Sequence, residues 1–289
     1  MSRRYAFLAP GQGMERVGMG VDIARHFAPA AELLKHAQEV AGLPPELEWS
    51  RPGRALHRTE VVQPALTAVV LGAAAALAAR GIHPSVVLGH SVGEVAAWGL
   101  AGGVPARPCI ALAAQRGAAM ARAARQTPGG MRALPRLPAS LPEGVVVAVY
   151  NPDQVVVSGS TAALRSFPHG RVVPTGGAWH TPSMLPAARD WARDLARLPH
   201  SPLTTAIISN RTGAVFGGDD FRDDLVHQLT SPVHWTASLT AMAGLGVTDA
   251  VILGPSKILR QHLRRLLPKL RVHPMERMSH ITALAEAHK

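Results

Sequence analysis

Apolar and polar positions along the chain form two kinds of run. Short, mostly apolar runs at residues 5–9, 86–88, 207–209 and 250–253 have the length of buried strands. Longer runs at 64–80, 92–100, 108–125 and 258–267 have helical length, the last with a basic face. Strands alternating with helices predict an α/β layered fold with a short parallel sheet. The pattern changes near Pro128. Short β-like runs follow at 131–134, 145–150, 154–158 and 171–174, separated by Pro135, Pro138 and Pro142, with one short helix at 162–167. This predicts a small subdomain, residues 128–179, inserted into a large α/β unit formed by 1–127 and 180–289.

Composition narrows the class. The chain has 289 residues, 47% hydrophobic and 17% charged, enough apolar material for a large core. Cys109 is the single cysteine, so an internal disulfide is excluded and a reducing compartment is expected. The first residues, MSRRYAFLAPGQG, hold too short an apolar run for a secretory signal. The longest apolar stretch, 65–79, falls short of a bilayer span and reads as a buried helix. A soluble, cytoplasmic protein with no membrane partner is the expectation. The net charge of +11 has two readings. Arginine, alanine, proline and glycine rise together in GC-rich genomes without functional demand. Alternatively, the field attracts an acidic partner. Nucleic acid is disfavoured, since aromatics are only 4% and no nucleic-acid motif is present.

Candidate chemistry centres on Gly89-His90-Ser91-Val92-Gly93, between a predicted strand and a predicted helix. That context is a nucleophile elbow, in which glycines permit the tight turn and the helix start offers the Val92 N–H to an oxyanion. A serine nucleophile needs a base. Of 14 histidines, His180 stands out in GGAWHTPSM, a glycine-rich approach followed by a proline-marked helix start.

Nine ordered landmarks then carry a resemblance: PGQG (10–13), RTEVVQPAL (58–66), GHSVGE (89–94), QRG (115–117), YNPDQVVVSG (150–159), WHTPSM (179–184), ISN (208–210), SPVHW (231–235) and LGPSKIL (253–259). Over nearly its whole length the chain resembles the malonyl-CoA:acyl carrier protein transacylases and the acyltransferases of polyketide synthases. The resemblance implies an α/β-hydrolase-like large subdomain with a small ferredoxin-like insert, acting as a monomer. It implies no bound cofactor and no metal. Malonyl-CoA is the implied donor and the phosphopantetheine thiol of an acidic acyl carrier protein the acceptor. Ser91 matches the nucleophile and His180 the base, oriented by a backbone carbonyl expected near Gly254 rather than by an acid. Gln12 and Val92 match the oxyanion-hole positions. Gln63, Asn151 and His90 match polar positions around the substrate. Arg116, which alone reads as a surface arginine on an arginine-rich helix, matches the residue that grips the malonyl carboxylate. Trp179 matches the bulky aromatic of malonyl-selective members.

Three departures stand out. Met14-Glu15 follows PGQG where relatives usually have Ser-Gln, and Leu253 and Ser256 alter the usual EVGPGKVL. The insert is also abridged: only 135–144 and 160–170 remain where relatives carry two full helices, predicting a turn or two of helix in each. Either its own prolines and hydrophobics cover the exposed sheet, or the carrier meets a modified face. Arg189, Arg193 and Arg197 form one helical stripe, and Lys257 begins a second basic cluster. Each is either a solvated helix face or a landing surface for the carrier or coenzyme A. A thioesterase of a polyketide pathway and a non-catalytic carrier-binding subunit are the competing functions; Arg116 argues against the first and the intact Ser91–His180 pair against the second. Fatty acid synthesis and a trans-acting polyketide role both fit a free-standing chain.

Overall fold

The computed structural model describes residues 3–43 and 54–288. Among them, a five-stranded parallel sheet runs β7 (Ala206–Ile208), β2 (Val86–Gly89), β1 (Tyr5–Ala9), β8 (Asp249–Leu253), β9 (Arg271–Met275). Its inner strands β1, β2 and β8 are buried along their whole length, as expected for parallel strands with helices on the sheet. The register sets Ala9 beside Gly89 and Leu88 beside Ile208. The turns leaving β1, β2 and β7 therefore meet at one end of the sheet, where open α/β sheets place their ligands.

Before the second strand lie α1 (Val21–His26), α2 (Ala28–Val40) and α3 (Thr59–Ala78); α4 (Gly93–Leu100) and α5 (Ala106–Gln126) follow it. Helix α3 starts five residues before the predicted helix and carries Pro64 inside it. Burial of Val61, Val62, Gln63 and Pro64 itself shows what offsets the missing backbone hydrogen bond. At 20 residues α3 is long and apolar enough to cross a membrane, contrary to the shorter stretch read from sequence, but 89% of its most apolar window is buried inside the protein. It lies against α2 and α5 as a core helix.

The inserted region forms an antiparallel sheet ordered β4 (Val145–Tyr150), β5 (Val155–Ser160), β3 (Gly129–Leu134), β6 (Arg171–Val173). One face turns Met131, Val149, Val156 and Val173 toward the end of the main sheet. The other gathers Leu134, Val145 and Val157 under Leu164 and Phe167, with Leu141 and Ala163 packed alongside. A register shift between Val147 and Val149 re-aims β4, and Val149 then bridges to Val233 of the large unit. The abridgement goes further than predicted. Residues 135–144 contain no helix, and α6 (Thr161–Arg165) has five residues, capped by Ser160 Oγ accepting from the Ala163 N–H at 3.1 Å. Thus the trimmed insert covers much of its outer face with its own apolar side chains, although Val172 stays 62% exposed.

The chain closes with α7 (Leu185–Ala196), α8 (Phe221–Gln228), α9 (Trp235–Gly244), α10 (Lys257–Leu266) and α11 (Met278–His288). β9 accommodates Pro274 because it lies at the sheet edge.

Candidate active site

The turn after β2 is too tight for side chains at positions 89 and 93, two residues either side of Ser91. A Cβ on Gly89 would lie 2.0 Å from the Gly93 carbonyl group, and one on Gly93 would lie 2.4 Å from the Ala9 oxygen. Ser91 itself is left-handed, with φ of 53°, and so is His180 at 59°. These are the only non-glycine residues with positive φ among the described residues. Such backbone is held against its preference by its surroundings.

Ser91 Oγ is 2.8 Å from His180 Nε2. On the far side of the ring, Nδ1 is 3.0 Å from the Gln228 carbonyl oxygen. A carbonyl only accepts, so Nδ1 carries the hydrogen and Nε2 is free to accept the serine proton. Here the sequence expectation is corrected: the orienting carbonyl belongs to Gln228, at the end of α8, not to the region of Gly254. Burial, followed by the nearby Arg116 charge, lowers the His180 pKa to about 4. The imidazole is therefore neutral at neutral pH, the state a base requires.

Neither the Val92 nor the Gln12 backbone N–H has an acceptor among the described residues. Gln12 instead anchors its side chain, accepting at Oε1 from Thr59 Oγ1 at 2.8 Å. The Ser91 N–H is already committed to Asn210 Oδ1 at 2.8 Å, which leaves the Val92 N–H as the uncommitted donor of the elbow.

Below the pair sits Arg116, 1% exposed. Its terminal nitrogens donate to Gln63 Oε1 and Gln228 Oε1, both at 2.8 Å, and its Nε is unpartnered. The spacing held the signal: Arg116 falls on the apolar stripe of α5 with Cys109, Leu112, Ala113 and Met120. A Cβ on Gly117 would lie 2.6 Å from the Thr59 oxygen, so α5 and α3 approach closely there and enclose the guanidinium. Burial lowers its pKa to about 10, still leaving it charged at neutral pH. The nearest acid is Glu94, fully buried and pushed up to about 8 by desolvation.

Ser91 and His180 open into a cavity of about 320 Å³ walled also by Gln12, His90, Asn151, Trp179 and the apolar face of the small sheet. His90 Nε2 meets Asn151 Oδ1 at 3.2 Å, joining the elbow to the turn after β4. Burial lowers the His90 pKa to about 3, so that imidazole is neutral as well. The Trp179 indole is 4% exposed and lies so close to Gly177 that a Cβ there would come within 2.6 Å of the ring. Gln63 lies behind the wall, linked to the site through Arg116 and, by way of Thr59 Oγ1, through Gln12. Lys257 is exposed beside Ile258, which lines the cavity. Arg189 and Arg193 are exposed on α7 and line no part of it; Arg193 pairs with Asp190 at 3.4 Å.

Three residues were missed from sequence: Gln228, Asn210 and Glu94. Gln228 Nε2 donates to the Ser91 carbonyl at 3.0 Å and to Glu94 Oε2 at 2.5 Å, while its own carbonyl orients His180. Glu94 Oε1 accepts the Asn210 N–H at 2.5 Å. The available signal was polar side chains in buried settings: the Glu of GHSVGE on an apolar helix, and the Asn of ISN just past a buried strand.

The family described as the acyl transferase domain matches residues 6–252. The malonyl CoA-acyl carrier protein transacylase of Escherichia coli K12 is 31% identical, covering 98% of this chain and 99% of that protein. The crystal structure of the Synechocystis malonyl-CoA:ACP transacylase has a TM-score of 0.88 at 28% identity, covering 97% of this chain and 99% of that one. The polyketide biosynthesis protein ThaF of Burkholderia thailandensis is 33% identical over 92% of this chain, a match spanning 24% of that larger protein. A serine–histidine pair at the end of a parallel sheet, with these matches spanning nearly the whole chain, places it in the acyl transferase family, among the malonyl CoA-acyl carrier protein transacylases.

Proposed function

We propose that this acyltransferase moves a malonyl group from coenzyme A, through Ser91, to the phosphopantetheine thiol of an acyl carrier protein. The observation that carries the malonyl reading is Arg116. Among the described residues no carboxylate is within ion-pair distance of it; its partners are two neutral amide oxygens and the Trp191 ring, 5.9 Å away. Burying an unpaired cation is costly, and a substrate carboxylate is the anion that offsets the cost.

The reaction proceeds in two symmetrical halves. Ser91 Oγ attacks the thioester carbonyl as His180 Nε2 takes its proton, forming a tetrahedral oxyanion that accepts from the Gln12 and Val92 N–H groups. The C–S bond breaks, His180 returns the proton to the departing thiolate, and malonyl remains as a serine ester. The carrier thiol then gives its proton to His180 and attacks that ester; the C–O bond breaks and His180 returns the proton to Ser91 Oγ. No acid is needed behind His180, since the Gln228 carbonyl fixes its tautomer. Trp179 restricts the space beside the acyl group and disfavours a branched one. Asn151 and His90 line the path of the arm, with Arg171 on the cavity wall and Lys257 next to the lining residue Ile258; Arg189 and Arg193, which line no part of the cavity, offer a separate basic face to an acidic carrier. The large unit is read as an α/β-hydrolase-like body and residues 128–179 as an abridged ferredoxin-like insert.

The test is to mix the protein with labelled malonyl-CoA and follow the label. Ester formation in the wild type and none in S91A is expected, with carrier acylation outrunning hydrolysis when carrier is added. Label persisting in S91A rejects the nucleophile; hydrolysis outrunning transfer assigns a thioesterase.

A further inference from the structure

We infer that Asn210 is a positioning residue that fastens the nucleophile elbow in its left-handed conformation. Resting on the reading of Ser91 as nucleophile, the inference adds the group that keeps Ser91 aimed. Asn210 stands two residues beyond the end of β7, whose Ile208 is in register with Leu88 of β2. From there its side-chain amide spans the elbow. Oδ1 accepts the Ser91 N–H at 2.8 Å and Nδ2 donates to the Gly89 carbonyl at 2.6 Å. The two bonds grip the residues either side of His90, one before the turn and one at its strained centre. Its own N–H is tied to Glu94 on α4, the helix that begins as the turn ends.

This bracket uses each group of the amide in the sense only Asn supplies. The Ser91 N–H needs an acceptor and the Gly89 carbonyl needs a donor, and both lie in a dry site, Asn210 being fully buried. With φ of 53°, Ser91 would relax toward ordinary backbone once its N–H were released. That relaxation swings Oγ away from His180 Nε2 and turns the Val92 N–H from the oxyanion position. By occupying the Ser91 N–H, Asn210 also determines that the next residue supplies the oxyanion donor. A second layer holds the bracket: Ser209 Oγ bonds Asp224, which pairs with Arg211 at 2.7 Å.

The experiment compares N210A and N210D with the wild-type full chain, using malonyl transfer and inactivation of Ser91 by a fluorophosphonate. The second probe needs the aimed nucleophile but no acyl specificity, so its outcome separates this inference from the substrate assignment. N210A should lower kcat about 100-fold with KM within about twofold, the scale expected when a reacting atom shifts by about 1 Å. Fluorophosphonate inactivation should slow in parallel. N210D keeps the acceptor for Ser91, but its second oxygen can donate to Gly89 only when protonated. The titratable and charged groups around position 210 are Glu94 on α4, whose pKa burial raises to about 8 in wild type and variant alike, Asp224 with Arg211, and Arg116 on α5; the neutral imidazoles of His90 and His180 flank the elbow. Its activity relative to wild type should therefore be about tenfold greater at pH 6 than at pH 8. N210A within twofold of wild type in kcat would overturn the inference. So would a ratio of N210D to wild type that is flat with pH, a reading that stands even if N210A fails to fold.

Discussion

Replacing Arg116 with alanine should change substrate preference rather than simply weaken the enzyme. The guanidinium lies 1% exposed between Gln63 and Gln228, with Nε unpartnered and one hydrogen on each terminal nitrogen uncommitted, the groups a malonyl carboxylate would engage in the proposed reaction. Each charge-assisted hydrogen bond contributes about 1.5–3 kcal/mol, so a two-pronged contact contributes about 3–6 kcal/mol. At about 1.4 kcal/mol per tenfold, R116A should lower malonyl kcat/KM by roughly 10² to 10⁴. Acetyl-CoA has no carboxylate and presents a methyl group to a buried cation. Its transfer should hold within about tenfold or rise, because the charge that opposed an apolar acyl group has gone. Stability enters as well, since Gln63 and Gln228 lose a donor and Glu94 its nearest cation. The assay is therefore run with both donors on the same preparation, at a temperature well below unfolding, reading acyl-carrier formation by mass spectrometry. A ratio of malonyl to acetyl transfer that is unchanged by R116A would refute the carboxylate contact. R116K should recover part of the malonyl rate, because a point charge replaces the charge but not the fork.

Two further outcomes follow from the cavity walls. Since burial lowers the His180 pKa to about 4, its protonated, inactive form gathers only below that pH. The acid limb of kcat/KM should then fall near pH 4, with less than about twofold change between pH 5.5 and 7.5; a limb near 6.5 would show a solvated imidazole instead. Trp179→Ser should raise the ratio of methylmalonyl to malonyl transfer about tenfold or more, the scale of one methyl group admitted to a pocket; an unchanged ratio would place the selectivity elsewhere.

How much of this was legible from sequence depended on whether a feature had to be made of a particular side chain. Strands β1 and β2 were, because a strand buried on both faces must be apolar throughout. The elbow was, because Gly89 and Gly93 have no substitute where a Cβ would strike backbone. β9 was not, since Pro274 argues against a strand until its edge position is known. Nor was the partner of His180. Any residue carries a backbone carbonyl, so nothing in the composition marks Gln228, and only the placement of the last turn of α8 brings that oxygen to the ring. Arg116 was an intermediate case. Its place on the apolar stripe of α5 was written in the spacing, yet the surrounding arginines made it look like one more surface charge.

Ser91 and His180 share left-handed backbone that neither residue prefers. The fold thus spends conformational free energy at the two positions where its chemistry is concentrated, and that cost can be measured apart from the chemistry. S91A and S91G both remove the hydroxyl and silence the enzyme, but only glycine accepts φ of 53° without penalty. S91G should therefore resist unfolding more than S91A by about 1 kcal/mol, seen as a higher denaturant midpoint at equal slope. Equal midpoints would show an elbow without strain. Random variation screened for heat resistance alone would drift toward glycine at these sites, giving a sturdier protein that has lost its trade.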